Sequence, residues 1–297
     1  MRRTSGIRQI ALGAAGVLLG AFILLPFLWA LSASLQTELA IFHRPPSWVP
    51  APATVANYLY VFTGRVPEGY AVRGLLRSAI TQEARLLPPG LWNSLQVALG
   101  VILVNLALGP LAAYTFARER FPGKEVAYSF ILGSRLLPAV AVAIPTYLIV
   151  KRLGLLDTKL ALILIYSAFT LPFTIWVLTL YMRSLPVEVE EAALVDGCTR
   201  FAALRRVVIP LAGPGLAAIA ATSFLFSYSE FFFALLVTSS VKAKTTPVVI
   251  ASISVNPDSS YTLIAVGIVV SIIPPMLLAV LFRRFITSSL VASMEQA

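Results

Sequence analysis

Catalytic side chains are nearly missing from this sequence. It holds one histidine, His43, and one cysteine, Cys198, in 297 residues, so neither a metal cluster nor a disulfide can be built within the chain. No GxxxxGK[ST] phosphate loop is present: Pro122-Gly123-Lys124 lacks both the upstream glycine and the following hydroxyl, which excludes ATP hydrolysis by that route. Acids, histidines and nucleophiles form no motif, so the chain is not expected to be an enzyme. Charge is scarce as well. Only 12% of residues are charged against 58% hydrophobic, and the mean hydropathy is +0.87, a balance that a soluble globular protein of this length would not survive.

Long apolar runs take the place of all this. About twenty apolar residues are needed to cross hydrocarbon, where only a helix satisfies its own backbone. Six runs qualify, at 10–31, 92–116, 126–150, 160–181, 214–237 and 262–282. The expected fold is all-α: one polytopic transmembrane domain over 1–297 with six membrane helices. Pro26, Pro110, Pro138, Pro145 and Pro172 fall inside these runs and are read as kinks, because neighbouring helices can satisfy the carbonyls they free. Arg2, Arg3 and Arg8 precede the first run like the basic region of a secretory signal. The run exceeds the 7–15 residues typical of such signals, however, and is read as an uncleaved first span.

Lysine and arginine in the short loops set the orientation. With the N-terminus inside, the cytosolic segments hold Arg2, Arg3, Arg8, Arg118, Arg120, Lys124, Arg183, Arg200, Arg205, Arg206, Arg283 and Arg284, against Lys151, Arg152, Lys159, Lys242 and Lys244 in the short external loops. Both termini are therefore expected in the cytoplasm. The net charge of +10 is spread over membrane boundaries on both sides and forms no stripe interleaved with aromatics, which speaks for anionic lipid head groups and against nucleic acid.

Outside the spans lie an external segment, 32–90, and a second external loop, 238–261. Pro45-Pro46, Pro50, Pro52 and Pro88-Pro89 forbid one continuous helix in the first, while 70–87 can form a short amphipathic helix. Each reads either as a cap or partner surface, or as a connector. Arg135 and Glu230 sit within spans, where a charge needs a reason. At 1.5 Å per residue their depths differ by about 10 Å, so a direct ion pair needs tilt or unwinding. Both are candidates for lining an interior path or pairing with another subunit; packing within the bundle is the alternative.

Segment 185–215, LPVEVEEAALVDGCTRFAALRRVVIPLAGPG, is a polar island between apolar runs. It reads as two short helices broken at Gly197. Pro186 suits a helix start, and Glu188, Glu190 and Glu191 complement the helix dipole. Gly197 reaches positive φ without strain, and Thr199 can cap the second helix. Ala192 and Ala193 let another surface approach closely.

Glu191-Ala192-Ala193, Gly197 three residues on, and Val207-Val208-Ile209-Pro210 nine residues after that resemble the EAA loop of ABC importer permeases, with Val207 and Ile209 replacing the usual Ile and Leu. Trp92-Asn93-Ser94-Leu95, AYTFARERFPGK at 113–124, Leu137-Pro138 with PTYLIVKRLGLL at 145–156, and SYSEFFFAL at 227–235 are similar to the maltose-type carbohydrate permeases, in particular the second, smaller permease of the pair. The likeness covers roughly 90–285.

The resemblance implies a type I importer permease with a cytoplasmic coupling helix in the loop 185–210. Its docking residues would be Glu190, Glu191, Ala192, Ala193, Asp196, Gly197 and Pro210. It also implies a second permease as heterodimer partner, two ATPase subunits carrying ATP and Mg, and an extracytoplasmic solute-binding protein, in a prokaryotic inner membrane. The solute would be a sugar or sugar-like. The alternatives are a permease of the same mechanism for a glycerol phosphate ester, phosphate, amino acid or peptide, or an ion-coupled secondary carrier. Path-lining candidates are Asn93, Arg135, Tyr228, Ser229 and Glu230. The family usually reads W-N-E/D-F in the fifth span, and Tyr228 and Ser229 depart from it; the external segment is also longer than usual near 63–89.

Overall fold

A computed structural model describes residues 6–65, 83–255 and 260–295. All regular structure among them is helical, as the composition implies. The helices are α1 (Gly6–Ser34), α2 (Glu38–Ile41), α3 (Ala56–Thr63), α4 (Leu87–Arg118), α5 (Lys124–Gly133), α6 (Ala139–Arg152), α7 (Lys159–Ser184), α8 (Val187–Val195), α9 (Arg200–Ala203), α10 (Ile209–Leu211), α11 (Gly213–Ser229), α12 (Phe232–Val237), α13 (Thr246–Val255) and α14 (Tyr261–Glu295). The short helix expected at 70–87 falls mostly on 66–82, outside the described residues.

Among the described residues, four helices are long and apolar enough to cross a membrane: Arg8–Ser34, Leu87–Arg118, Lys159–Ser184 and Tyr261–Phe282. Two bent pairs, Lys124–Leu136 with Ala139–Arg152 at 99° and Arg200–Leu211 with Gly213–Ser229 at 76°, bring the number to six if each is one span.

The expected third span, 126–150, is thus not one helix. Proline offers no N–H and pushes the residue before it out of the helical region. Leu137 accordingly lies at φ −69°, ψ 120°, Ser134–Leu136 tightens into a 3₁₀ turn, and α6 restarts after Pro138. Pro138 breaks where the sequence reading expected a kink, whereas Pro26, Pro110, Pro145 and Pro172 lie inside continuous helices. The expected fifth span, 214–237, is also interrupted. α11 ends at Ser229, and Glu230 takes an extended backbone with φ −68°, ψ 130°. The Glu230 carboxylate then accepts the backbone N–H groups of Phe233 at 3.0 Å and Ala234 at 3.3 Å, capping α12 where donors lack partners.

The chain divides into two compact units, 1–88 with 249–273 and 89–248 with 274–297. In the first, fully buried Asn57 donates to the carbonyls of Ser34 at 2.9 Å and Gln36 at 2.8 Å, pinning the exit of α1 to α3. In the second, one core cluster joins Val97, Val101, Leu162, Tyr166 and Phe233. Another joins Ala113, Leu178, Met182, Leu204, Val208 and Ile219, tying α4, α7 and α11 to the segment 204–208. α4 approaches α7 closely at Gly109, where a Cβ would lie 2.4 Å from Thr174 Cγ2. Close helix contact through small residues is how membrane helices gain packing contacts without a hydrophobic drive between them.

Candidate functional site

α8 begins after Pro186 and carries Glu188 and Glu190 in its first turn, where negative charge meets the positive end of the helix dipole. It ends in a Schellman arrangement. The Gly197 N–H donates to Leu194 O and the Cys198 N–H to Ala193 O, both at 3.0 Å, with Gly197 at φ +87°. Thr199 Oγ1 accepts the Ala202 N–H at 3.2 Å and opens α9. The chain then runs through a π-helical segment, Leu204–Val208, into α10, so the second helix carries an extra residue that the sequence does not signal.

The two faces of α8 differ sharply. Glu190 is buried, 6% exposed. It accepts a hydrogen bond from the Tyr114 hydroxyl and pairs with Arg118 Nε at 2.9 Å. Arg118 also donates to Leu185 O at 3.1 Å. The inward face of α8 is therefore locked to the C-terminal end of α4 by one carboxylate whose two oxygens both have donors. The outward face carries Glu188, Glu191, Ala192 and Val195, all exposed, continued by exposed Phe201 on α9. Arg200 pairs with Glu119 across the loop after α4.

Glu190, grouped with the docking residues from the resemblance, faces the protein's own interior and anchors the helix. Ala193 is half-buried, while Asp196, Gly197 and Pro210 are exposed. A helical period places 190, 193 and 194 on one face and 188, 191, 192 and 195 on the other. That signal was available in the sequence and separates Glu190 from Glu191. Tyr114 and Arg118 carried no such signal, since their partner lies 72 or more residues away.

The path-lining candidates scatter. Asn93, 5% exposed, donates to Val241 O at 2.8 Å and Lys244 O at 3.0 Å and fastens the start of α4 to that loop. Tyr228 is 4% exposed and stacks on Phe224 with ring centroids 5.3 Å apart. Both are packed within the chain. Ser229 is exposed, its hydroxyl donating to Leu225 O at 2.6 Å. Arg135 and Glu230 do not pair: Glu230 caps α12, and the Arg135 guanidinium lies over the Phe173 ring, 4.9 Å from its centroid.

At the other end of α7 a further clamp appears. Asp157, at φ +58°, accepts the N–H groups of Ser239 and Ser240 at 2.9 Å each and the Ser240 hydroxyl. Burial acts to raise its carboxyl, but the Ser240 hydroxyl, the two amides and the charge of Lys242 together hold it below the ordinary carboxylate range.

Known proteins resemble this arrangement over most of its length. The family described as "Binding-protein-dependent transport system inner membrane component" matches residues 105–291. The chain is 30% identical over 291 residues to the trehalose/maltose transport system permease protein MalG of Thermococcus litoralis, covering 98% of each. It is 32% identical over 274 residues to the trehalose transport system permease protein SugB of Mycobacterium tuberculosis, covering 91% of each. It is also 32% identical over 269 residues to the sulfoquinovosyl glycerol transport system permease protein SmoH of Agrobacterium fabrum, covering 91% of this chain and 87% of that one. Its fold matches a chain in the crystal structure of a bacterial ABC transporter involved in the import of the acidic polysaccharide alginate, with a TM-score of 0.74 at 22% identity, over 96% of this chain and 99% of that one.

Proposed function

The chain belongs to the family of inner membrane components of binding-protein-dependent transport systems, a multi-pass membrane permease of the carbohydrate-transport kind, and we propose that it forms the translocation path for a sugar or sugar-like solute and couples that path to ATP hydrolysed by partner subunits. The observation that carries the coupling is the division of α8 into two faces. Its exposed side presents Glu188, Glu191, Ala192 and Val195 to a partner, continued by Phe201 of α9, and its buried side is fixed to α4 through Glu190, Tyr114 and Arg118.

A partner pressing on the exposed side moves α4 as well, since a buried, doubly hydrogen-bonded carboxylate does not slip. Gly197 and the cap at Thr199 turn the motion into α9–α10 and so toward α11. ATP binding would close two ATPase subunits beneath the loop, with ATP and Mg held by them, and the path would open outward to a solute-binding protein. The complete importer on this reading holds a second permease and lies in a prokaryotic inner membrane with both termini of this chain in the cytoplasm. The sugar assignment is supported by the names of three relatives, each a permease for a sugar or a sugar glycoside.

Co-purification from the native host in detergent, followed by an ATPase assay, tests this. Recovery of a second permease and of an ATPase stimulated by a solute-loaded binding protein is the expected result. Recovery of this chain alone, transporting in liposomes on an ion gradient, overturns the reading.

A further inference from the structure

Arg135 occupies the 3₁₀ turn between α5 and α6, beside the middle of α7. A cleft of about 80 Å³ opens there, lined by Arg135, by Thr170 and Phe173 of α7, and by Thr222, Ser223 and Phe226 of α11. Residues 170 and 173 straddle the midpoint of the 26-residue helix Lys159–Ser184, so the cleft lies at mid-depth of that span. An arginine at such depth is costly and ordinarily faces a partner or a water-filled cavity. No carboxylate pairs with Arg135 among the described residues, and Glu230 is engaged by the backbone of α12.

The wall of the cleft is built to present donors. Fully buried Asn105 stands behind it, its Nδ2 donating to Thr170 Oγ1 and to Ser223 Oγ at 2.8 Å each. Thr170 passes its own proton to Tyr166 O at 2.8 Å. Ser223 only accepts in this chain of bonds, which leaves its O–H to donate to an occupant. The cleft therefore offers a guanidinium held over the Phe173 ring, a hydroxyl proton and the phenyl rings of Phe169 and Phe226, and no carboxylate lines it. Guanidinium forks match carboxylate, sulfonate and phosphate oxygens, and aromatic faces suit the apolar side of a sugar ring.

We propose that Arg135 and Ser223, with Phe173, form an anion-recognising subsite on the translocation path, so that the favoured solutes are sugars carrying a carboxylate, sulfonate or phosphate ester. The inference rests on the reading of this chain as a sugar path. Arg135 grips the anionic group as it passes the bend between α5 and α6, and the phenyl rings flank the attached ring.

The test uses the complete importer in proteoliposomes, with three probes: a neutral disaccharide, the disaccharide of the same size bearing a uronic acid, and a small non-sugar carboxylate. In the wild type the uronic acid sugar is imported in preference to the neutral one. In Arg135→Gln the acid-to-neutral import ratio falls roughly tenfold or more, the loss expected for one charge-assisted hydrogen bond; in Arg135→Lys, which keeps the charge without the fork, it falls less. Equal loss of both sugars overturns the subsite, as does failure of Arg135→Gln to co-purify with the second permease, which would make Arg135 a subunit contact. Wild-type import of the neutral sugar alone overturns the subsite and leaves the sugar path standing. Import of the non-sugar anion alone, falling in Arg135→Gln, keeps the subsite and overturns the sugar reading.

Discussion

Removing the Glu190 carboxylate should loosen α8 from α4 by an amount the geometry allows one to work out. Side-chain exposure is 7% for Glu190 and 11% for Arg118, so the pair is shielded from water. Truncating one member of a buried pair leaves the other charge uncompensated and costs about 3–5 kcal/mol. Glu190→Ala leaves Arg118 in that position and also strips the Tyr114 hydroxyl of its acceptor. Glu190→Gln keeps the shape and an acceptor, and a cost of about 1–2 kcal/mol is expected from weakening charge-assisted bonds to neutral ones. Arg118→Met alone strands the carboxylate, whereas Arg118→Met with Glu190→Gln removes both charges and should recover part of the loss.

Amide hydrogen exchange over 187–197 in the detergent-solubilised complex reads these differences, because local opening is a free energy of its own. At about 1.4 kcal/mol per tenfold, Glu190→Ala should lower protection by roughly a hundredfold or more, up to the ceiling set by local opening in the wild type. Glu190→Gln should lower it by roughly tenfold. ATPase stimulation by the loaded binding protein should fall in the same order. Protection in Glu190→Ala within about twofold of wild type would refute the lock, since that corresponds to under 0.5 kcal/mol.

Three further outcomes follow from other places in the fold. Glu191→Lys and Gly197→Asp should abolish uptake while the chain still inserts: the first reverses a charge on the exposed face of α8, the second puts a side chain at φ +87°, and unchanged transport in both would count against the coupling role. Asp157→Asn should weaken the clamp on Ser239 and Ser240 by about 1 kcal/mol after screening by water, seen as a lower unfolding temperature. Because the folded carboxyl is held below its ordinary value, its contribution is present above about pH 4 and fades as pH falls through the depressed value; a wild-type to Asp157→Asn difference that persists unchanged at lower pH would contradict this. Gly109→Ala should destabilise by about 1–3 kcal/mol, more than Gly100→Ala, because the added Cβ meets the stiff Thr174 at 2.4 Å whereas at Gly100 it meets the movable end of Ile163 at 2.5 Å; equal thermal shifts would contradict the ranking.

Much of this was legible in the chain. Apolar runs placed the long helices, and the local chemistry of Pro186, Gly197 and Thr199 placed the bend of the polar loop, because caps and positive φ depend on a few neighbouring residues. The break at Pro138 was not legible. Pro26 and Pro145 are exposed and Pro110 and Pro172 are buried, yet all four lie inside continuous helices, so neither the apolar run around a proline nor its burial separates them from Pro138. Glu230 likewise looked like an unpaired intramembrane charge until the interruption of the fifth span supplied donors for it. The anchor at Glu190 needed partners on α4, and no local pattern names them.

The 99° bend after α5 also bears on how the chain enters the bilayer. α5 has 10 residues and α6 has 14, about 15 and 21 Å of helix, against hydrocarbon about 30 Å thick. Neither arm is a membrane-spanning segment in its own right. α5 and its turn pack on α7, and α6 packs on α12, both of which are synthesised later. This part of the protein therefore reaches its final packing only after α7 and α12 have been made.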